Sequence, residues 1–148
     1  MVIATSIDKA LAIAVDAHSG QRDRGNTPYI LHAIRVMMNV LCLGEAYAIV
    51  AVLHDVVEDS EVTLRDLDAL GLSEEQLDAL DRLTKRPGET RADNYQRVLL
   101  NPISRAVKIA DTKDNLDLPR IKNRRNLQPK DMERINEYLS GLNLLEGN

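Results

Sequence analysis

The sequence is poor in aromatic residues, and this shortage excludes one class of partner. It contains no Trp, no Phe and four Tyr among 148 residues. Proteins that bind single-stranded nucleic acid stack the bases on aromatic side chains, and proteins that bind phosphate backbones usually present a basic surface. The formal net charge is −4. Composition and charge therefore argue against a nucleic-acid polymer as partner.

Cysteine and long apolar segments are also scarce. The single cysteine, Cys42, cannot form an internal disulfide, and its apolar neighbours predict a core residue in a reducing compartment. No segment approaches the roughly 20 consecutive apolar residues that cross a bilayer. The N-terminal residues MVIATS lack a basic region before the apolar ones. We therefore expect a cytoplasmic protein without a membrane segment.

Apolar residues recur at helical spacing along the chain, and no alternating β-branched stretch is long enough to suggest a sheet. The pattern predicts an all-α fold, a bundle of about seven to eight helices. The length suffices for a single domain, residues 1–148. The predicted helices cover approximately residues 6–20, 28–44, 46–59, 92–100, 102–117 and 129–142, with two shorter helices that begin near 63 and 73.

Local signals mark the ends and faces of these helices. Thr63 with Asp66, and Ser73 with Gln76, have the spacing of capping boxes. The first helix is predicted to begin at a cap formed by Thr5 or Ser6. Its inward stripe is expected to comprise Ile7, Leu11, Ala14 and Val15.

The third helix carries the strongest functional signal. Residues 46–53 are apolar on every face, which indicates a buried central helix. At its end stand His54, Asp55, Glu58 and Asp59. Carboxylates at a helix C-terminus repel both the helix dipole and one another. A divalent cation bound there would remove this conflict.

Two further residues complete a mixed nitrogen and oxygen ligand set. His32 lies near the start of the second helix, and Asp111 follows apolar residues in the helix predicted from Pro102. We expect His32, His54, Asp55 and Asp111 to converge on one metal ion. Such ligands suit Mn²⁺ or Fe²⁺ better than a structural Zn²⁺, which more often recruits Cys.

These residues stand in the order found in HD-domain metal-dependent phosphohydrolases, and the surrounding segments resemble the hydrolase domains of RelA/SpoT-type proteins. The segments are AHSGQR at 17–22, TPYILH at 27–32, LHDVVEDS at 53–60 and VKIAD at 107–111. The resemblance extends from about His18 to Asn115. In bifunctional members a synthetase domain follows the hydrolase domain. The residues after Asn115 are too few for such a domain, so we expect no (p)ppGpp synthesis.

The resemblance implies hydrolysis of the 3′-diphosphate of guanosine tetra- or pentaphosphate, (p)ppGpp, giving GDP or GTP and pyrophosphate. It implies Mn²⁺ as the metal and assigns Glu58 and Asp59 to the orientation of water or the management of its proton. It also places Arg22 against the guanine base, Asn115 at the nucleoside and Lys108 near the phosphates. Arg22 is nearly as compatible with a loop salt bridge.

The chain departs from the resemblance at two positions. A basic residue usually follows the Gln-Arg pair, where this sequence has Asp23, and the usual Pro after the metal-binding His is Ala33. Asp23 reverses a charge beside the expected base site. A phosphohydrolase of another small nucleotide, such as a nucleoside monophosphate or the 2′-phosphate of NADPH, is therefore an alternative. A catalytically silent regulatory module is a third hypothesis.

Several residues are expected to have structural or surface roles. His18 lies at a helix end and favours a structural hydrogen bond, whereas Asp114 and Asp117 are expected at the surface. A homodimer is compatible with the sequence, which does not determine oligomeric state. The basic cluster after the Asp111 helix fits either a solvated face or contact with a phosphorylated ligand. It comprises Arg120, Lys122, Arg124, Arg125 and Lys130.

Overall fold

The computed structural model describes residues 4–121 and 123–147, and these residues form an all-α protein. Within the described ranges the only β-type pairing is an isolated bridge between Arg22 and Pro28. The described residues form nine α-helical segments, of which one is a single turn. They are α1 (Ile7–Ala17), α2 (Ile30–Val40), α3 (Glu45–Leu53), α4 (Val56–Asp59), α5 (Leu64–Ala69), α6 (Glu74–Leu83), α7 (Arg91–Val98), α8 (Pro102–Asn115) and α9 (Pro129–Glu146). Two 3₁₀ turns, Leu41–Leu43 and Leu118–Arg120, follow α2 and α8.

Helix α3 occupies the centre of the bundle, as its apolar composition predicts. Every residue from Ala48 to Leu53 is buried. The helix packs against α1, α2, α6 and α8. It ends at a break in the backbone, since Asp55 adopts φ −108° and ψ 0° before the short helix α4 begins. The His54–Asp55 pair therefore lies where a buried helix stops.

The predicted helix starts are confirmed where capping residues mark them. The side chains of Thr63 and Ser73 each accept a hydrogen bond from the backbone three residues later, and Asp66 and Gln76 complete the two capping boxes. Ser6 occupies the N-cap position of α1, although its side chain makes no capping hydrogen bond.

Three burial predictions are wrong. Val15 is 50% exposed, whereas Ala14 of the predicted stripe is buried, because the buried face of α1 runs through Ala10 and Ala14. Cys42 is exposed, because it falls in the 3₁₀ turn after α2 rather than in the helix that faces the core. Asp114 is buried, because α8 turns it toward α2, where it meets a histidine and two arginines.

None of the described helices is both long enough and apolar enough to cross a membrane. Of the predicted basic cluster, Arg124, Arg125 and Lys130 are exposed, Arg120 is largely buried, and Lys122 lies outside the described residues.

Candidate metal centre and substrate cavity

Three of the four predicted ligands form a tight group at the end of α3. Donor atoms of His32, His54 and Asp55 all lie within 4.8 Å of one another. The fourth, Asp111, approaches from α8. Its Oδ1 lies 3.0 Å from His32 Nε2 and 3.5 Å from His54 Nε2. The structure thus brings together four residues that are spread over 79 positions of sequence.

The imidazole of His54 is oriented by its own helix. Its Nδ1 lies 2.7 Å from the carbonyl oxygen of Ala51, a group that can only accept, so Nδ1 carries the proton. Nε2 then faces Asp55 Oδ2 at 2.9 Å and Asp111 Oδ1 at 3.5 Å. Among the described residues it has no hydrogen-bond partner of acceptable geometry. A buried nitrogen aimed between two carboxylates fits a bound cation.

Charge in the cluster supports the same interpretation. Burial lowers the pKa of His54, but the charges of Asp55 and Asp111 outweigh burial and raise that pKa well above its ordinary value. Burial raises the pKa of Asp55, yet the neighbouring His54 brings it down to about 2. Without a metal, a proton on His54 offsets the carboxylate charge. A metal ion that binds there would displace that proton.

Asp55 and Asp111 are each held by neighbours. The hydroxyl of Tyr29 donates a hydrogen bond to Asp55 Oδ2. Lys108 Nζ donates to Asp111 Oδ2 over 3.0 Å, and Asn115 Nδ2 donates to Asp111 Oδ1 over 3.1 Å. Burial raises the pKa of Asp111, but the adjacent Lys108 lowers it well below its usual range. Lys108 and Asn115, predicted to contact substrate, therefore also contact a predicted ligand.

Two residues of the cluster, Asp55 and Asp111, line a cavity of about 430 Å³. Both signs of charge line it. Glu58 and Asp59 of α4 follow the end of α3, whereas basic residues come from the segment after α6 (Lys85), from α7 (Arg91) and from α9 (Arg134). The charged lining residues are Arg22, Arg24, Lys85, Arg91, Lys108, Arg120 and Arg134, and Asp23, Asp55, Glu58, Asp59 and Asp111. Such a mixture suits a polyanionic ligand that approaches a cation.

Glu58 and Asp59 both line this cavity from α4. Glu58 Oε1 accepts a hydrogen bond of 2.9 Å from the backbone N–H of Lys85, which fixes the carboxylate against the end of α6. Burial and the nearby charges of Asp55 and Glu58 raise the pKa of Asp59 to about 6. Asp59 is thus a carboxylate that can exchange a proton near neutral pH.

The loop before α2 also lines the cavity, through Arg22, Asp23 and Arg24. Arg22 is exposed, lines the cavity and donates to the Asn26 carbonyl oxygen over 2.9 Å, so the loop salt bridge considered for it is absent from the described contacts. Asp23 Oδ1 accepts from the backbone of Gly25 and Thr27. Its Oδ2 lies 3.3 Å from Arg120 Nη2, so the charge of Asp23 is offset within the cavity.

His18 has the structural role that was predicted. It is 2% exposed, and its Nδ1 lies 2.8 Å from Gln21 Oε1. The Gln21 amide in turn donates to the Asp59 carbonyl oxygen over 2.9 Å, which ties the rim loop to α4.

Tyr29 and Asp114 are site residues that sequence analysis missed. Each lies three positions from a predicted ligand on the same helical face, Tyr29 before His32 and Asp114 after Asp111, and this spacing was the available signal. Asp114 accepts hydrogen bonds from His32, Arg35 and Arg120. Burial raises its pKa, but the bonds from His32 and Arg35 bring the value to about 2.

A helical bundle that surrounds a buried histidine and aspartate cluster has the architecture expected of HD-type phosphohydrolases. Comparison with a solved structure identifies the fold. A metazoan ortholog of SpoT that hydrolyses ppGpp superposes with a TM-score of 0.77 at 20% sequence identity, over 98% of this chain and 87% of that one.

Sequence comparison gives the same group of proteins, although no protein-family model matches the chain. The chain is 32% identical over 123 residues to the guanosine-3′,5′-bis(diphosphate) 3′-pyrophosphohydrolase of Vibrio cholerae, covering 75% of this chain and 17% of that protein. It is 31% identical over 120 residues to the bifunctional (p)ppGpp synthase/hydrolase SpoT of Escherichia coli, covering 73% of this chain and 17% of SpoT. The resemblance to RelA/SpoT-type proteins is confirmed, and the chain spans about a sixth of the length of these relatives.

Proposed function

We propose that this protein hydrolyses the 3′-diphosphate of guanosine tetra- or pentaphosphate. Water adds to phosphorus, the bond to the 3′-oxygen breaks, and GDP or GTP and pyrophosphate leave. The observation that carries the proposal is the buried His–Asp cluster, two of whose aspartates line a cavity that seven Arg and Lys residues also line. Similarity to relatives that bear the name of this activity supports the choice of substrate.

We propose His32, His54, Asp55 and Asp111 as the ligands of one divalent ion, Mn²⁺ or alternatively Fe²⁺. The fit rests on the orphaned Nε2 of His54 and on the carboxylate oxygens around it. When bound, such an ion supplies Lewis-acid polarisation of a phosphate oxygen or of water.

Glu58 and Asp59 are proposed as the carboxylates that orient the attacking water and accept its proton. Both line the cavity one turn beyond the proposed ligands His54 and Asp55. A pKa of about 6 leaves Asp59 largely ionised at neutral pH, which suits a proton acceptor.

Arg22, Lys108 and Asn115 are proposed as substrate contacts. All three line the cavity. Arg22 lies at the exposed rim, where a base can stack on its guanidinium. Lys108 and Asn115 lie beside Asp111, so they can contact the phosphate and sugar groups nearest the metal. We also propose a single domain, since one continuous core links α1 to α9.

Asp23 favours a second candidate substrate. It lines the cavity at the rim where the expected neighbour of Arg22 is basic, and Arg120 neutralises it. With Asp23 in place of a basic residue, this rim offers less positive charge to a guanosine ligand that carries two diphosphates. A nucleoside monophosphate or the 2′-phosphate of NADPH is the alternative, and neither reaction releases pyrophosphate.

The test is product analysis by anion exchange after incubation of the purified protein with guanosine tetraphosphate and Mn²⁺. We expect GDP and pyrophosphate, lost with EDTA and in an Asp55→Ala variant. Asp68→Ala, which removes an exposed aspartate of α5 outside the cavity, is the matched control and should keep activity. Intact substrate with folded, Mn²⁺-loaded protein would reject the alarmone, and the same assay would then be run with the two alternative substrates.

A further inference from the structure

The carboxylate of Asp114 lies directly behind the imidazole of His32. Asp114 comes from α8, one turn after Asp111, and its side chain is only 7% exposed. Its Oδ2 lies 2.5 Å from His32 Nδ1, while His32 Nε2 faces Asp111 Oδ1 on the opposite side of the ring. The ring therefore stands between the carboxylate of Asp114 and the proposed metal site.

This contact determines which ring nitrogen of His32 faces away from the proposed metal site, since Nδ1 faces Asp114 and Nε2 faces Asp111 Oδ1 at 3.0 Å. A distance of 2.5 Å between a ring nitrogen and a carboxylate oxygen requires a proton between them, so Nδ1 is the donor. Arg120 Nη1 also lies 3.2 Å from Nδ1, but an arginine only donates, and this longer contact is secondary. With Nδ1 protonated, a neutral His32 directs the Nε2 lone pair into the cluster.

Two arginines from different segments hold the carboxylate in place. Arg35, one turn after His32 on α2, donates from Nε to Asp114 Oδ1 over 2.8 Å. Arg120, from the 3₁₀ turn after α8, donates from Nη1 to Oδ2 over 2.8 Å. Both carboxylate oxygens are therefore occupied, and the carboxylate cannot rotate away from His32 without breaking a charged hydrogen bond.

The other proposed histidine ligand needs no such arrangement. His54 is oriented by the Ala51 carbonyl oxygen of its own helix. For His32 the carbonyl oxygen three residues earlier, that of Tyr29, accepts from the His32 backbone N–H, while His32 Nδ1 contacts Asp114 Oδ2. A side chain from another helix supplies the acceptor instead.

We infer that Asp114, held by Arg35 and Arg120, is a positioning residue that sets the orientation and tautomer of His32 for metal binding. This inference rests on the proposed metal site and is independent of the nucleotide substrate. Carboxylates behind metal-binding histidines typically contribute about 10- to 100-fold to metal affinity.

The experiment is a titration of purified protein with Mn²⁺, in which electron paramagnetic resonance measures the free ion. Wild type is compared with Asp114→Leu, which removes the acceptor, and Asp114→Asn, which keeps an acceptor but removes the charge. Glu89→Gln is the matched control. Glu89 has a similarly buried side chain, 9% exposed, and it also bonds an arginine, but it does not line the cavity. Circular dichroism verifies that each variant is folded.

We expect Asp114→Leu to weaken Mn²⁺ binding by about 10- to 100-fold, Asp114→Asn by a smaller factor, and Glu89→Gln not at all. If the leucine variant does not fold, the comparison of Asp114→Asn with Glu89→Gln carries the test. Folded Asp114 variants that bind Mn²⁺ as tightly as the control would overturn the inference. A wild type that binds no Mn²⁺ would overturn the metal site and this inference together, whereas failure to cleave guanosine tetraphosphate with Mn²⁺ bound would overturn the substrate alone.

Discussion

The partner of each histidine decides whether that histidine can bind a metal. Three buried histidines share a neighbourhood, and their rings are within about 5 Å of a neighbouring ring. His32 and His54 each use Nδ1 for an acceptor outside the cluster and turn Nε2 toward carboxylates. Among the described residues His18 forms no ion pair with a carboxylate; its Nδ1 bonds the side-chain amide of Gln21, and its buried Nε2 has no hydrogen-bond partner. Chemically identical side chains thus divide into proposed ligands and a structural residue.

Mn²⁺ is expected to stabilise the protein through His54 but not through His18. A ligand that binds only the native state at 100 times its dissociation constant adds about 2.7 kcal/mol to the unfolding free energy. Differential scanning calorimetry with and without Mn²⁺ should show a higher Tm for wild type and for His18→Gln, and no increase for His54→Ala. An equal increase in His54→Ala would contradict the ligand assignment.

Replacing Asp59 by Asn is expected to stabilise the metal-free protein at pH 7.5. The folded state raises the pKa of this carboxyl from 3.8 to about 6, so its ionisation is disfavoured in the native state. The loss of unfolding free energy caused by ionising Asp59 is absent below pH 3.8, develops as the pH rises to about 6, and is complete above pH 6. Because the side chain is exposed and screened, we expect a gain of only about 1 kcal/mol.

Thermal unfolding in EDTA at several pH values provides the measurement for Asp59→Asn. The difference in Tm between variant and wild type should shrink from pH 7.5 toward pH 4.5. A difference that is constant with pH would show that charge is not its cause.

At the scale of elements, the contact between α7 and α9 depends on a glycine. Gly141 of α9 is buried, and a Cβ built there would lie 2.3 Å from the ring of Tyr95 on α7. The Tyr95 ring is 2% exposed and cannot simply move outward. Tyr95 Oη lies 3.3 Å from Thr112 Oγ1, so the same ring also connects α7 to α8. The glycine permits three helices to meet at one aromatic ring.

Gly141→Ala is therefore expected to destabilise the protein, although alanine favours a helix over glycine. Overpacking of a core typically costs about 1 to 3 kcal/mol, which exceeds the gain in helix propensity of about 1 kcal/mol. Urea denaturation measures the difference. Ser140→Ala, at the exposed neighbouring position, is the control and should be neutral or slightly stabilising. A Gly141→Ala variant as stable as this control would refute the packing argument.

At the scale of the whole molecule, buried or partly buried carboxylates make stability dependent on pH. Arg97 holds Glu89 through two nitrogens and also donates to the carbonyl oxygens of Asp81 and Thr84, which fastens α7 to the end of α6. The hydrogen bonds from Arg97 lower the pKa of Glu89 from 4.5 to about 2. Because the native state holds this proton less tightly than the unfolded chain does, acid favours unfolding.

We expect Glu89→Gln to lower the unfolding free energy by about 2 kcal/mol at pH 7, the magnitude of a charged hydrogen bond. The contribution of Glu89 is complete above pH 4.5 and disappears as the pH falls through about 2. Urea denaturation of both proteins between pH 3 and pH 7 should therefore give curves that converge toward acid. Parallel curves would show that the ion pair does not contribute in this way.

The sequence was sufficient to predict the helical fold and to select the four residues proposed as ligands, which the structure brings close together, and the reasons are local. Periodicity of apolar residues defines helices, capping boxes at Thr63 and Ser73 mark their starts, and the apolar run of α3 ends in charged residues that require a partner. The positions of Val15 and Cys42 were not predictable in this way. Both are apolar or weakly polar, and their burial depends on whether the segment that carries them turns that position toward the core.

The sequence by itself determined which residues can bind a cation, because the side-chain chemistry of His32, His54, Asp55 and Asp111 is independent of their surroundings. Only the tertiary structure decided that Asp114 belongs to the same site. From sequence alone, a helical aspartate that is buried against another helix cannot be distinguished from one that is exposed at the surface. Here His32 and Arg35 of α2 contact the Asp114 carboxylate of α8, and Arg120 of the turn after α8 contacts the same carboxylate. Burial and charge pairing arise from contacts between distant segments, and these exist only after the chain has folded.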